Sequence, residues 1–187
     1  MILVLDNKVR YNDFFLQEFV PLIEAKYRIS KGRKNRAISG ISMGGYGALR
    51  FAFGHPEMLS AASAQSAALI TESPAELDTA TRSGASLGKV LAGVFGSPID
   101  VRHWKANDPF VLARENAAPL HKLAIYFNCQ QDNYGLEKGA AALHDELKKE
   151  GIAYEYHPYP GDHGLAYFRS HFEEVMEFHS RAFGLTE

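Results

Sequence analysis

The stretch Arg36-Ala37-Ile38-Ser39-Gly40-Ile41-Ser42-Met43-Gly44-Gly45-Tyr46-Gly47-Ala48 decides the fold of this chain. Residues 36–40 read as a brief strand bounded by glycine, and residues 49–54 continue as a helix. Between them, Gly40-Ile41-Ser42-Met43-Gly44 matches G-x-S-x-G, the pattern of a nucleophile elbow. A serine on so cramped a strand-to-helix turn needs slim neighbours. Glycines at 40 and 44 would remove collisions with nearby backbone, and Gly45 and Gly47 would keep the start of the helix slim. The hydroxyl then stands at the top of a sheet, over the positive end of a helix dipole. The Met43 N–H points where an oxyanion would form. A pattern of five residues also fits a glycine-rich turn whose serine merely caps a helix; the strand before it and the helix after it favour the elbow.

Outward from this turn, short apolar runs alternate with helical patterns, which predicts an α/β fold with a mostly parallel sheet. Strands are expected over residues 2–5, 59–66, 123–129 and 153–159, besides 36–40. A helix is expected from Asn12 or Asp13, carrying Phe15, Phe19, Leu22 and Ile23, with Asn12 as a cap and a kink at Pro21. Further helices are expected over 135–150, with Leu136, Ala140, Leu143 and Leu147, and over 164–183. Residues 67–116 break the alternation, with short helical pieces near 87–95 and 109–115. An excursion of that kind between two sheet strands reads as a lid-like or pocket-wall insertion in a single domain spanning 1–187.

Composition excludes several functions. The chain has 187 residues, a formal net charge of −2 and one cysteine. No positive excess exists to neutralise nucleic-acid phosphates, and no intramolecular disulfide can form. The basic run over 31–36 reads as a solvated loop, with steering of an anionic substrate as the alternative. No stretch approaches the ~18 apolar residues of a membrane span. With no export signal in view, a cytoplasmic location is expected.

A serine hydroxyl needs a base to take its proton and an acid to orient that base. All eight histidines follow Ser42. His163, in Pro160-Gly161-Asp162-His163-Gly164, sits on a glycine-flanked loop between the last strand and the last helix, where such a fold presents catalytic groups. His171 and His179 read as surface or half-buried packing residues of the last helix. His144 is likewise helical, His55 precedes Pro56, and His103, His121 and His157 lack a comparable glycine setting. Asp132 follows a strand and precedes His163, matching the order serine, acid, histidine of α/β-hydrolases. Asp162 is a rival by proximity alone, and Asp108 reads as a cap or turn. Cys129 reads as a small core residue. No spacing resembles a metal site, and the chemistry calls for no cofactor.

The segment Ser39 to Arg50, followed by His55-Pro56, closely resembles the putative esterase family, which includes esterase D, S-formylglutathione hydrolase, tributyrin and feruloyl esterases and the antigen 85 mycolyltransferases. The resemblance continues through Ala106-Asn107-Asp108-Pro109, Asn128-Cys129-Gln130-Gln131-Asp132 and Tyr159-Pro160-Gly161-Asp162-His163-Gly164, and so spans nearly the whole chain. It implies a three-layer α/β-hydrolase, a triad of Ser42, Asp132 and His163, and hydrolysis of a small-molecule ester. In one respect this chain departs from the family. Members carry further strands before the region matching residues 1–6, and a loop there supplies a second oxyanion donor. A sheet without those strands would expose an apolar edge and face, which favours a homo-oligomer. The alternatives are an acyltransferase of the antigen 85 type and a non-catalytic or partner-completed binding module.

Overall fold

The computed structural model describes residues 10–82, 86–131 and 135–185. The strand expected over residues 2–5 lies outside them. The chain divides into two compact units, Lys31–Thr71 with Pro109–Glu187, and Met1–Ser30 with Glu72–Asp108.

The first unit holds the four strands found among the described residues: β1 (Ala37–Ile41), β2 (Ala61–Gln65), β3 (Ala124–Gln130) and β4 (Glu155–Tyr159). Every pair is parallel, and the spatial order is that of the chain, β1-β2-β3-β4. Parallel neighbours need crossover connections. The helix Met43–Gly54 leads from β1 toward β2, and Leu136–Lys149 from β3 toward β4.

Register sets Gly40, Ala64, Phe127 and Tyr156 in one row and Ser39, Ser63, Tyr126 and Glu155 in the next, so the two rows face opposite sides. On the Phe127 side, Phe127 and Tyr156 stack at 4.7 Å, and His144 of the helix Leu136–Lys149 lies 5.3 Å from Tyr156. On the other, Val175 and Phe178 of the helix Phe172–Ala182 close over Ala61 and Tyr126. Helices on both faces of a parallel sheet make the three expected layers. β2 is buried at every position and β3 at all but its first, the pattern of strands covered on both faces. Leu49, Phe53, Leu143 and Leu147 are wholly buried, each contributing about 1.5–3 kcal/mol of apolar burial.

The helix expected over 164–183 is two helices, Leu165–Ser170 and Phe172–Ala182, divided at His171 (φ −107, ψ 6). Tyr167 anchors the first and Val175 the second. Eight residues on one straight helix would set those anchors about 80° apart around its axis, and the break re-aims them.

In the second unit the helix begins before its expected start: its N-cap is Arg10, Asn12 lies inside Tyr11–Asp13, and no side chain caps it. The chain continues as a π-helical segment, Phe14–Phe19, into Val20–Lys26. Pro21 donates no N–H to the preceding turn, and the widened segment lies just ahead of it. The stretch 67–116 is shared between the units and contains the two expected helical pieces, Ser86–Phe95 in the second unit and Pro109–Glu115 in the first. It also holds Pro74–Arg82 and Val101–Lys105, which the apolar pattern did not suggest. Pro74–Arg82 buries only Leu77 and Thr81, too few for a stripe. Its sequence signal is a capping box: the Ser73 N–H and Oγ donate to Glu76 Oε2 at 2.7 and 2.6 Å.

Candidate active site

At the carboxyl end of β1 the backbone turns on Ser42, at φ 55 and ψ −119. A non-glycine residue held there costs on the order of 1–3 kcal/mol. Three main-chain bonds hold it: the Ser42 N–H donates to Gln65 O at 2.8 Å, and Ser42 O accepts from Tyr46 N at 3.0 Å and Ala68 N at 3.1 Å. A Cβ added at Gly40 would lie 2.0 Å from the carbonyl oxygen of Gly44, and one at Gly45 would lie 3.1 Å from Ala67 Cα. The collision argument therefore holds at 40 and 45. It fails at Gly44, where an added Cβ meets nothing within 4 Å, because that position of the first helical turn faces outward and is exposed.

Ser42 occupies the N-cap position of Met43–Gly54, yet its side chain makes no capping bond. Its Oγ instead lies 3.0 Å from Nε2 of His163. The reading of Ser42 as a helix cap is thus not the one its side chain follows. His163 leaves β4 on the expected loop, and its ring stands edge-on to Phe168 at 5.3 Å. In the same loop Gly161 adopts φ 146, and a Cβ there would lie 2.8 Å from the Tyr167 ring. Met43 opens the helix, where an N–H has no intrahelical acceptor.

Five of the remaining histidines are engaged elsewhere. His144 bonds to the Tyr154 hydroxyl at 2.8 Å, and His55 packs on Phe51 at 5.1 Å. His157 and His171 each lie 3.7 Å from the carboxylate of Glu174. His179, expected at or near the surface, is buried under the sheet, where its Nε2 lies 2.8 Å from Ser63 Oγ. Burial pushes its pKa below the ordinary imidazole value. Its place follows from the break at His171, which turns the Val175, Phe178 and His179 side of the helix onto β2 and β3.

Asp132 lies outside the described residues; β3 ends two positions before it, and the Gln131 N–H extends the ladder to Tyr159 O at 2.9 Å. Asp162 is exposed, and its carbonyl accepts from Gly164 N at 2.8 Å. Cys129 is wholly buried. Sequence reasoning did not find the polar groups beneath the elbow. Ser66, at φ 47, donates its hydroxyl to Gln130 Oε1, and its N–H to Asn128 O at 2.8 Å. The Tyr167 hydroxyl donates to Asn128 Oδ1 at 3.2 Å, and Asn128 Nδ2 donates to the Tyr126 hydroxyl at 3.0 Å. Burial pushes both phenols well up, which keeps them protonated. Their signal was the polar alternation of Asn128 and Gln130 within an otherwise apolar strand. Among the described residues no group of three or more metal-binding side chains occurs, and no helix is long and apolar enough to cross a membrane.

A parallel sheet between helices, with a serine on a strained turn where β1 hands over to a helix, defines an α/β-hydrolase fold. The chain belongs to the Putative esterase family, whose model matches residues 6–179. It is 28% identical over 168 residues to an esterase of Mycobacterium tuberculosis, an alignment covering 82% of this chain and 36% of that one. It is 25% identical over 174 residues to an acetyl esterase of Caldicellulosiruptor saccharolyticus, covering 91% of this chain and 64% of the relative. A solved ferulic acid esterase is similar with 29% identity and a TM-score of 0.73, over 92% of this chain and 61% of that one. The chain thus spans between about a third and two thirds of the length of these relatives.

Proposed function

We propose that this chain is a serine carboxylesterase acting on short-chain acyl esters, with Ser42 as nucleophile, His163 as general base and Asp132 behind the histidine. One observation carries the reading: a 3.0 Å hydrogen bond joins Oγ of Ser42, on a strained turn, to an imidazole 121 positions away. His163 Nε2 takes the hydroxyl proton as Oγ attacks the ester carbonyl. The oxyanion is stabilised by the Met43 N–H, and the alcohol leaves with the proton returned by His163. Water, deprotonated by the same nitrogen, then attacks the acyl-enzyme and releases the acid. Asp132 holds the imidazole in the tautomer with its lone pair at Nε2. The names of the similar proteins (esterase, acetyl esterase, ferulic acid esterase) support an ester as substrate, and the acetyl esterase supports a small acyl group.

The test is hydrolysis of p-nitrophenyl acetate and butyrate by wild type and Ser42→Ala. Loss of the nucleophile is expected to lower kcat by ~10⁴-fold or more; equal rates would remove Ser42 from the mechanism. Covalent labelling by a fluorophosphonate in the wild type, and none in Ser42→Ala, would separate an enzyme from a binding module. Product analysis with an added alcohol would reveal acyl transfer in place of hydrolysis.

A further inference from the structure

We propose that Glu174 is a positioning residue for His163, closing the loop that carries the base. This rests on His163 acting as that base.

His163 rides on the segment between Tyr159, the last residue of β4, and His171, the residue that divides the two final helices. Both ends of the segment meet at one carboxylate. The Tyr159 hydroxyl donates to Glu174 Oε1 at 2.8 Å, and His171 Nδ1 lies 3.7 Å from Oε2. The two rings, Tyr159 and His171, stack nearly parallel with centroids 4.1 Å apart. His157, two positions earlier on β4, adds a contact of 3.7 Å to Oε1. Glu174 itself belongs to the first turn of Phe172–Ala182, where a negative charge is favoured by the helix dipole.

The geometry is that of a non-covalent clasp at the neck of a loop. Inside the loop, Gly161 at φ 146 is the position with the widest choice of backbone angles, and Tyr167 supplies a separate anchor through Asn128. Opening the neck would leave the chain between Tyr159 and Tyr167 free to pivot about Gly161. The hydrogen bond from His163 to Ser42 has no slack for such movement, since misplacing a reacting group by about 1 Å can cost ~10²-fold in rate. A positioning residue of this kind acts through His163, so its loss should act on turnover and leave binding alone.

The experiment measures kcat and KM for p-nitrophenyl acetate, with Tm beside them, in Glu174→Ala, Glu174→Gln and Tyr159→Phe. Glu174→Ala is expected to lower kcat by ~10- to 100-fold with KM within about twofold of wild type. Glu174→Gln keeps an acceptor for the Tyr159 hydroxyl and should recover kcat to within about threefold of wild type. Tyr159→Phe keeps the ring stack and should fall between the two. A wild-type kcat in Glu174→Ala overturns the proposal, as does a kcat loss that glutamine fails to rescue, or one that merely follows a fall in Tm toward the assay temperature. The two readings separate cleanly. Activity retained by Ser42→Ala or His163→Ala refutes the catalytic assignment, whereas full activity in Glu174→Ala beside an inactive Ser42→Ala refutes only the clasp.

Discussion

At Ser42 the backbone is held where glycine is at ease and serine is not, at φ 55. Replacing it tests that strain apart from chemistry: Ser42→Gly should melt higher than Ser42→Ala, by the equivalent of about 1 kcal/mol, in paired thermal scans. The two glycines of the pattern give a second contrast. Gly40→Ala puts a methyl group into the Gly44 carbonyl and should destabilise by about 3 kcal/mol or more. Gly44→Ala meets nothing and should be neutral or stabilising by up to ~1 kcal/mol, since alanine suits a helix better. The sequence pattern treats these glycines alike. Only the approach of the helix to the strand, a tertiary fact, tells them apart. Ser42 and His163 were legible because an elbow and a glycine-flanked loop leave local marks. Ser66, Asn128 and Gln130 were not, because a buried network is defined by partners far along the chain.

Among the elements, the helix Phe172–Ala182 carries an ionisable group into the interior. Ser63 Oγ donates to Ser39 Oγ at 2.8 Å and so accepts from Nε2–H of His179. Among the described residues Nδ1 is left buried without a partner. Desolvation holds the native pKa of His179 below its unfolded value of about 6.5. The unfolded chain thus binds a proton near that pH while the native chain does not. The stability is whole above pH 6.5 and is lost as pH falls from there through the lower native pKa. Melting curves between pH 7 and pH 5 should show wild type losing Tm more steeply than His179→Gln; parallel slopes would contradict this. The strands were legible because a sheet covered on both faces writes continuous apolar runs. The helix Pro74–Arg82 was not, because an apolar-stripe search passes over an element with two buried residues, and its capping box was the better sign. The break at His171 has no local marker, arising from two anchors that demand different directions.

Across the whole molecule, burial is uneven. β2 and most of β3 are closed to solvent, whereas Tyr11–Asp13, Phe14–Phe19 and Val20–Lys26 contain no buried residue. Amide exchange should be slowest in β2 and β3 and fastest in residues 11–26, with the difference read by mass spectrometry of peptic fragments. Cys129, the single cysteine, has no exposed surface. A thiol reagent should therefore react only as fast as the sheet opens; immediate labelling of the native protein would contradict that burial. The fold class was readable from the alternation of runs, while the grouping of Met1–Ser30 with Glu72–Asp108 was not, since contacts between distant segments leave no composition shift.

The span of 121 positions between the Ser42 hydroxyl and the His163 imidazole also has a consequence in time. A ribosome completes the bend bearing the hydroxyl long before the imidazole exists, and a strand at the sheet's far edge must dock before the two can meet. On the proposed mechanism, a growing chain therefore carries an inert alcohol while 121 further residues are added, and its reactivity switches on only once the loop after β4 is in place.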